Sequence, residues 1–224
     1  MSLSGRAFLG IWHDLNDGYE HEFDRWHTNE HMPERLGIPG FRRGRRYMNR
    51  NITNHLCFTL YEGAHLETFR SPGYLARLNA PTTWSTRVQP GITNFLRGAF
   101  EVAASLGEGV GGGLSTFRIE LEPEMRLATL RTLRHLCLDI KELDTVVGSH
   151  LGSARPEVTG IRTQEMELRQ STSAENSLDA VLLVETIGLA EAQSIVPKVT
   201  ALLQVDGVRN VASASYYLAY LLDH

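Results

Sequence analysis

The chain is written twice, and that duplication limits its folds more than any single motif. Pro81, Gly91 and Asn94 recur as Pro197, Gly207 and Asn210, all at an offset of 116 residues. Around them PTTWSTRVQPGITNFLRGAFEVAA lies against PKVTALLQVDGVRNVASASYYLAY. Upstream, at a slightly shorter offset, RAFLGIWHDL matches GLSTFRIELE and IPGFRRGRRYMN matches LDTVVGSHLGSA. Each copy must then be a supersecondary unit with a face to bury. A glycine-rich joint, Gly107 to Gly113, lies between the copies, and the second copy carries extra residues near 157–176. The expected organisation is a first module at 4–106, a linker at 107–113 and a second module at 114–224.

Hydrophobic periodicity gives both copies the order β-α-β-β-α-β. In the first, strands are expected at 7–12, 41–48, 55–61 and 92–103. Tyr19, Phe23, Trp26 and Glu30 recur at helical spacing, so a helix is expected over 19–31, stopped by Pro33 and the Ile38-Pro39-Gly40 turn. A second helical region begins at 74–78 and restarts at Pro81, a residue suited to a first helical turn. In the second copy strands are expected at 114–121, 145–151, 178–186 and 208–221. Helices are expected at 124–138, with a stripe of Leu127, Leu130, Leu133 or Arg134 and Cys137, and at 189–203. Such a unit makes a four-stranded antiparallel sheet with both helices on one face. The bare faces are too apolar to stay wet, and two copies can bury them sheet to sheet. The expected class is α+β, tandem ferredoxin-like modules packed as an intrachain barrel.

The passage from helix through Pro-Gly to strand resembles the dimeric α+β barrel superfamily. Gly40-Phe41 after the first helix and the Trp26…Glu30-His31…Pro33 pattern carry the likeness. The chain resembles a fused, two-module, EthD-like member. Such relatives include cofactor-free monooxygenases, polyketide cyclases, lactone isomerases and haem-binding enzymes, so the resemblance implies a fold and leaves the chemistry to the residues.

The stretch WHTNEHMPERLGIPGFRRGRRY, 26–47, concentrates the chemistry. It sets two histidines, a glutamate and a tryptophan on one short helix, then places arginine at 42, 43, 45 and 46. By a 100° count Glu30 lies at the centre of the Phe23/Trp26 face, where a carboxylate must be paired or change its pKa. It is the leading candidate for proton transfer, with His27 and with His13 at the carboxyl end of the first strand. An ion pair with Arg43, Arg45 or Arg46 is the structural alternative for Glu30. Strand alternation puts Arg43 and Arg45 on one face with Phe41 and Tyr47, and Arg42 and Arg46 on the other. Arg43 and Arg46, with Tyr19, Tyr47 and Trp26, are the candidate substrate-binding residues. His27 and His31 flank the stripe in an H-x-x-E-H pattern, which also makes them weak candidates for a divalent metal, or singly for haem. Without those, no cofactor is expected. P-loop, dinucleotide-fingerprint, nucleophile-elbow and C-x-x-C motifs are lacking. In the second copy Val146-Val147-Gly148-Ser149-His150 replaces the arginine run and His135 falls near Glu30's place, so the first module is expected to hold the site.

Composition excludes some partners. The net charge of −4 gives no general attraction for nucleic acid or anionic membrane. No apolar run is long enough to span a bilayer, and no leader is evident. Cys57 and Cys137 sit in apolar runs and read as reduced core residues of a cytoplasmic protein. The reading is a small-molecule enzyme using acid–base chemistry (isomerisation, cyclisation or cofactor-free oxygenation) on an anionic, keto or aromatic compound. The alternative is a non-catalytic ligand-binding or stress-associated barrel. A homodimer of the two-module chain is compatible with either.

Overall fold

A computed structural model describes residues 3–169 and 178–224. The first copy supplies β1 (Ala7–Leu15), a long helix α1 over 20–36, β2 (Phe41–Met48) and β3 (Cys57–Gly63). It continues with α2 (Pro72–Leu78), α3 (Thr83–Val88) and β4 (Ile92–Gly107). The second supplies β5 (Gly113–Leu121), α4 (Arg126–Lys141), β6 (Val146–Ala154), two short helices α5 (Pro156–Thr159) and α6 (Gln164–Leu168), β7 (Ala180–Thr186), α7 (Leu189–Leu202) and β8 (Val208–Asp223). Each copy is thus a ferredoxin-like β-α-β-β-α-β unit with antiparallel pairing.

Contacts divide the chain into two compact units. One, here the N-terminal unit, is Gly5–Ala99, Arg155–Asn176 and Ala219–His224; the other is Met1–Ser4, Phe100–Ala154 and Ser177–Leu218. β4 and β8 therefore each contribute to both. The extra residues of the second copy, as far as they are described, belong to the N-terminal unit.

In the N-terminal unit β3 is flanked by β1 and β2, and every residue of β3 is buried. One cluster gathers Leu9, Met32, Leu36, Phe41, Tyr61, Phe69 and Tyr74; a second gathers Phe23, Trp26, Met48, Cys57, Val88 and Ile92. Ser71 and Thr82 cap α2 and α3 with their hydroxyls, leaving Pro72 at a first-turn position that needs no N–H. Gly40, at φ +98°, makes the left-handed turn that redirects the chain from α1 into β2. Gly44 lets α1 approach, since a Cβ there would lie 2.9 Å from Met32 Sδ.

Two local features differ from the simple periodic reading. α1 does not stop at Pro33 but runs on to Leu36. Residues His27–His31 form a π turn, in which Met32 N–H bonds to His27 O, five residues back. The wider turn just before Pro33 accommodates a ring that an ideal α-helix would exclude. The π turn also shifts the helical phase, so Glu30 leaves the centre of the buried face and is only half-buried, while His27 and His31 are buried. In β2, a bulge between Phe41 and Arg43 breaks strict alternation. Phe41 therefore does not share a face with Arg43; it turns toward the helices and meets Tyr61, Phe69 and Tyr74.

The C-terminal unit orders its strands β8-β5-β7-β6 and adds the second half of β4 beside β6. Its core joins Phe117, Ile119, Leu133, Cys137, Ile140, Val184, Ile195 and Val199. The stripe of α4 is Thr129, Leu133, Cys137 and Ile140, one step from the expected one, and Leu127 is 73% exposed. Both cysteines are buried and free.

Most of the arginine run is structural. Arg45 and Glu62 are sealed together: Arg45 Nε donates to Glu62 Oε1 at 2.8 Å, Nη2 lies 2.7 Å from the same oxygen, and Nη1 donates to Tyr47 Oη at 3.0 Å. The repeat keeps this arrangement. Arg45 aligns with His150, whose Nε2 lies 3.1 Å from the buried Glu185. Removing one member of a buried pair strands the other charge. Arg45→Met should therefore lower stability by about 3–5 kcal/mol, read as a fall in denaturant midpoint. Arg45→Met combined with Glu62→Leu should recover most of that loss. Equal losses in the single and double variants would show that the pair's charge is not what matters.

Candidate active site

The N-terminal unit encloses a cavity between α1, the sheet and the short helices. Its walls are aromatic and cationic. Phe23 and Trp26 come from α1's first turns, His27 and His31 from its π turn, Arg35 from its last turn, and Ile11 and His13 from β1. Thr59 and Tyr61 come from β3, and Gln89, Phe95 and Arg97 from the entry into β4. Glu165 and Arg169 complete it from the extra segment of the second copy. The free volume is about 40 Å³, room for a few water-sized groups and well below the roughly 300–1,000 Å³ of pockets for drug-sized ligands.

Three histidines line this cavity with their rings packed against aromatic neighbours. Trp26 and His31 lie 4.3 Å apart, His27 and Phe23 5.1 Å, and His13 and Phe23 5.0 Å. Trp26 is fixed in turn, because its Nε1 donates to Ser85 Oγ at 3.2 Å. Burial disfavours the imidazolium, and nearby guanidinium groups add to the effect. Desolvation lowers His13 to about 4. His27 lies well below its ordinary value through desolvation and the Arg46 charge, and His31 does so through desolvation and the Arg35 charge. All three are neutral at pH 7. His27 Nε2 is 3.4 Å from Tyr61 Oη, and the Nδ1 atoms of both His27 and His31 have no hydrogen-bond partner. Tyr61 is pushed far above the ordinary tyrosine value by desolvation, so it stays a phenol.

The charge in the walls is unbalanced. Arg35, Arg97 and Arg169 share the lining with a single carboxylate, Glu165. Arg35 Nη2 is paired with Glu165 Oε1, and Nη1 donates to Glu34 Oε2 at 3.0 Å. Arg169 Nη1 donates to Gln89 Oε1 at 2.7 Å and lies 3.8 Å from Glu165 Oε2, and the guanidinium stacks 4.1 Å over Phe95. Its Nε has no partner, nor does Gln89 Nε2 or Thr59 Oγ1. Desolvation pulls Arg169 down to about 10, which marks a buried cation with too little compensating charge. Buried polar atoms are rarely left unpaired, and a cluster of them around one cavity marks a place for a polar guest.

Of the residues that the sequence singled out, the structure brings His13, His27 and Trp26 together at this cavity, with His31. Glu30 stands outside the lining, where Thr82 Oγ1 donates to it at 2.5 Å and Ser85 Oγ at 3.5 Å. Through Ser85 it braces Trp26. Arg43 pairs with Asp223. Arg46 lies against Phe23 and Tyr220, with Asp24 3.7 Å away. Tyr47 serves Arg45, and Tyr19 packs over Gly91, where a Cβ would meet its ring at 2.0 Å. Sequence reasoning missed Arg35, Tyr61, Gln89, Arg97, Glu165 and Arg169. The extra length of the second copy was the one available signal for the last two.

Haem does not fit these residues. The cavity is an order of magnitude too small, His27 Nε2 faces Tyr61, and His31 is stacked on Trp26. Among the described residues no three His, Cys, Asp or Glu side chains form a metal-binding group.

The neutral histidines make stability depend on pH. In the unfolded chain each imidazole binds a proton near pH 6.5, whereas in the folded protein it stays neutral to much lower pH. Between those limits the unfolded state holds more protons, so stability is complete above pH 6.5 and is lost as the pH falls below it. The slope reaches about 1.4 kcal/mol per pH unit for each imidazole. Urea midpoints should drop between pH 7 and pH 5, and His27→Gln should show a shallower drop. A midpoint unchanged over that range would contradict the burial of neutral imidazoles.

Comparison with solved structures places this geometry in a known fold. A candidate monooxygenase from Fusobacterium nucleatum is similar over 99% of this chain and 96% of its own, with 10% identity and a TM-score of 0.56. An anthrone oxidase-like protein aligns over 97% of this chain and 92% of its own, with 9% identity and a TM-score of 0.65. A chlorite dismutase variant from Candidatus Nitrospira defluvii aligns over the same shares, with 13% identity and a TM-score of 0.57. No family model matches the chain, and no curated protein sequence matches it significantly. At these identities the likeness concerns the fold, and it spans nearly the whole chain. The chain shares the α+β fold of these structures and builds it from two ferredoxin-like units.

Proposed function

We propose that the cavity is an active site for proton transfer on a small anionic keto or aromatic compound, within the EthD-like branch of the fold. The observation that carries this reading is the meeting of neutral, unpartnered imidazole nitrogens with surplus guanidinium charge in one pocket. In the tautomer whose Nε2–H donates to Tyr61 Oη, His27 offers the Nδ1 lone pair to a substrate. A bound anion changes that nitrogen: negative charge nearby favours the imidazolium and offsets the desolvation that holds His27 neutral. His27 therefore becomes a stronger base only when substrate is present.

The step is abstraction of a proton from carbon next to a carbonyl. The C–H proton moves to His27 Nδ1, and the electron pair moves through the new C=C bond onto the carbonyl oxygen. Arg169 and Arg97 supply the positive charge that an enolate oxygen needs. His31 or His13 returns the proton at another carbon in an isomerisation. Cyclisation would use the same enolate internally, and oxygenation would use it with dioxygen as co-reactant. Glu30, Ser85 and Trp26 hold His31 in place, so their roles are positional.

The small cavity favours a second reading, a ligand-binding barrel without chemistry. One assay separates the two. Small keto and aromatic acids are incubated in D₂O with the protein, and loss of C–H signal is followed by NMR. The first reading predicts catalysed exchange for at least one acid, reduced about 10²–10⁴-fold in His27→Gln with ligand affinity retained. Binding without exchange in the parent protein would establish the second. No described helix is long and apolar enough to cross a membrane, and the two buried, free cysteines support a cytoplasmic setting.

A further inference from the structure

We propose that Arg35 and Arg169 form a carboxylate-binding site whose present occupant is the chain's own Glu165, and that a small monocarboxylate displaces it. The inference rests on the cavity being a ligand site, and it names the ligand group and the residue that competes with it.

Glu165 sits as a ligand carboxylate would. Its Oε1 pairs with Arg35 Nη2 and its Oε2 faces Arg169 Nη1 at 3.8 Å, so one carboxylate bridges two guanidinium groups. Its side chain is 3% exposed and lies directly beside the free volume. It is carried on α6, which belongs to the segment added to the second copy, and it lies 130 residues from Arg35 in the chain. Nothing in the β-α-β-β-α-β plan requires that segment.

The fit is incomplete on the arginine side. Arg169 Nε and Gln89 Nε2, two donors at the same wall, are left unpartnered. The Arg45–Glu62 pair of the same unit differs on each count. There both Nε and Nη2 of the arginine meet the carboxylate, the remaining Nη1 meets Tyr47, and the pair does not line the cavity. A planar carboxylate is the group that paired guanidinium donors hold best. Withdrawal of Glu165 would also enlarge a void of about 40 Å³ that is too small for an aromatic or keto acid.

The test uses the full chain and three simple anions. Thermal midpoints of the parent, Glu165→Ala and Glu62→Ala are measured against sodium acetate, with sodium chloride and sodium phosphate at matched ionic strength. Glu165→Ala should be stabilised by acetate in a saturable way that chloride and phosphate do not reproduce, with an affinity about tenfold or more above the parent's. Glu62→Ala should show no saturable acetate effect. Equal acetate responses in both variants, or none in Glu165→Ala, would overturn the proposal. Should Glu165→Ala fail to fold, Glu165→Gln keeps the shape and removes the charge. Calorimetry should then show acetate or benzoate binding about tenfold tighter than in the parent, and equal affinity would overturn the proposal. These readouts need no turnover. Loss of proton exchange in His27→Gln with carboxylate affinity intact separates this inference from the proposed chemistry.

Discussion

Three guanidinium groups, Arg35, Arg97 and Arg169, sharing one pocket lining with a single carboxylate, Glu165, is the condition on which the rest of the N-terminal unit depends. Charge out of water must be compensated, and here the compensation is partial. The shortfall appears in the lowered Arg169, in its unpartnered Nε, and in histidines driven neutral beside it. A structure designed only for stability would fill such a space with apolar side chains. This one keeps polar atoms unpaired around a void, which is the pattern expected where a guest completes the site.

The backbone features that build the pocket serve that condition. The π turn in α1 rotates His27 and His31 inward and leaves Glu30 at the side, where it steadies Trp26 through Ser85. π turns are uncommon and recur at functional positions. Strand alternation in β2 past its bulge sends neighbouring arginines to opposite faces, so that Arg45 is buried against Glu62 while Arg46 lies behind Phe23 and adds its charge to the field at His27. Duplication supplied the scaffold. In the second copy the corresponding strand carries His150 opposite Glu185, which keeps a buried polar pair and drops the arginines.

Sequence pattern carried the fold further than the site. The offset repeat and the alternating elements implied two ferredoxin-like units, and β2 spans the residues expected of it, Phe41–Met48. His13, His27 and Trp26 were legible because helical and strand spacing place them near one another. Glu30 was misplaced because a 100° count assumes uniform turns, and the π turn leaves no simple trace in the residue pattern. Arg43 and Tyr47 were read as ligand contacts because alternation says which residues share a face and not what that face meets; Asp223 and Arg45 meet them instead. Glu165 and Arg169 were out of reach because only tertiary folding brings them to α1.

The account stands on the histidines being neutral under the arginine field, and ¹⁵N NMR of the imidazole rings reads that state directly. Spectra of labelled protein between pH 8 and pH 5 should show His13, His27 and His31 as single neutral tautomers throughout. An imidazolium signal from His27 or His31 at pH 7, or a midpoint near 6.5 for either, would contradict it.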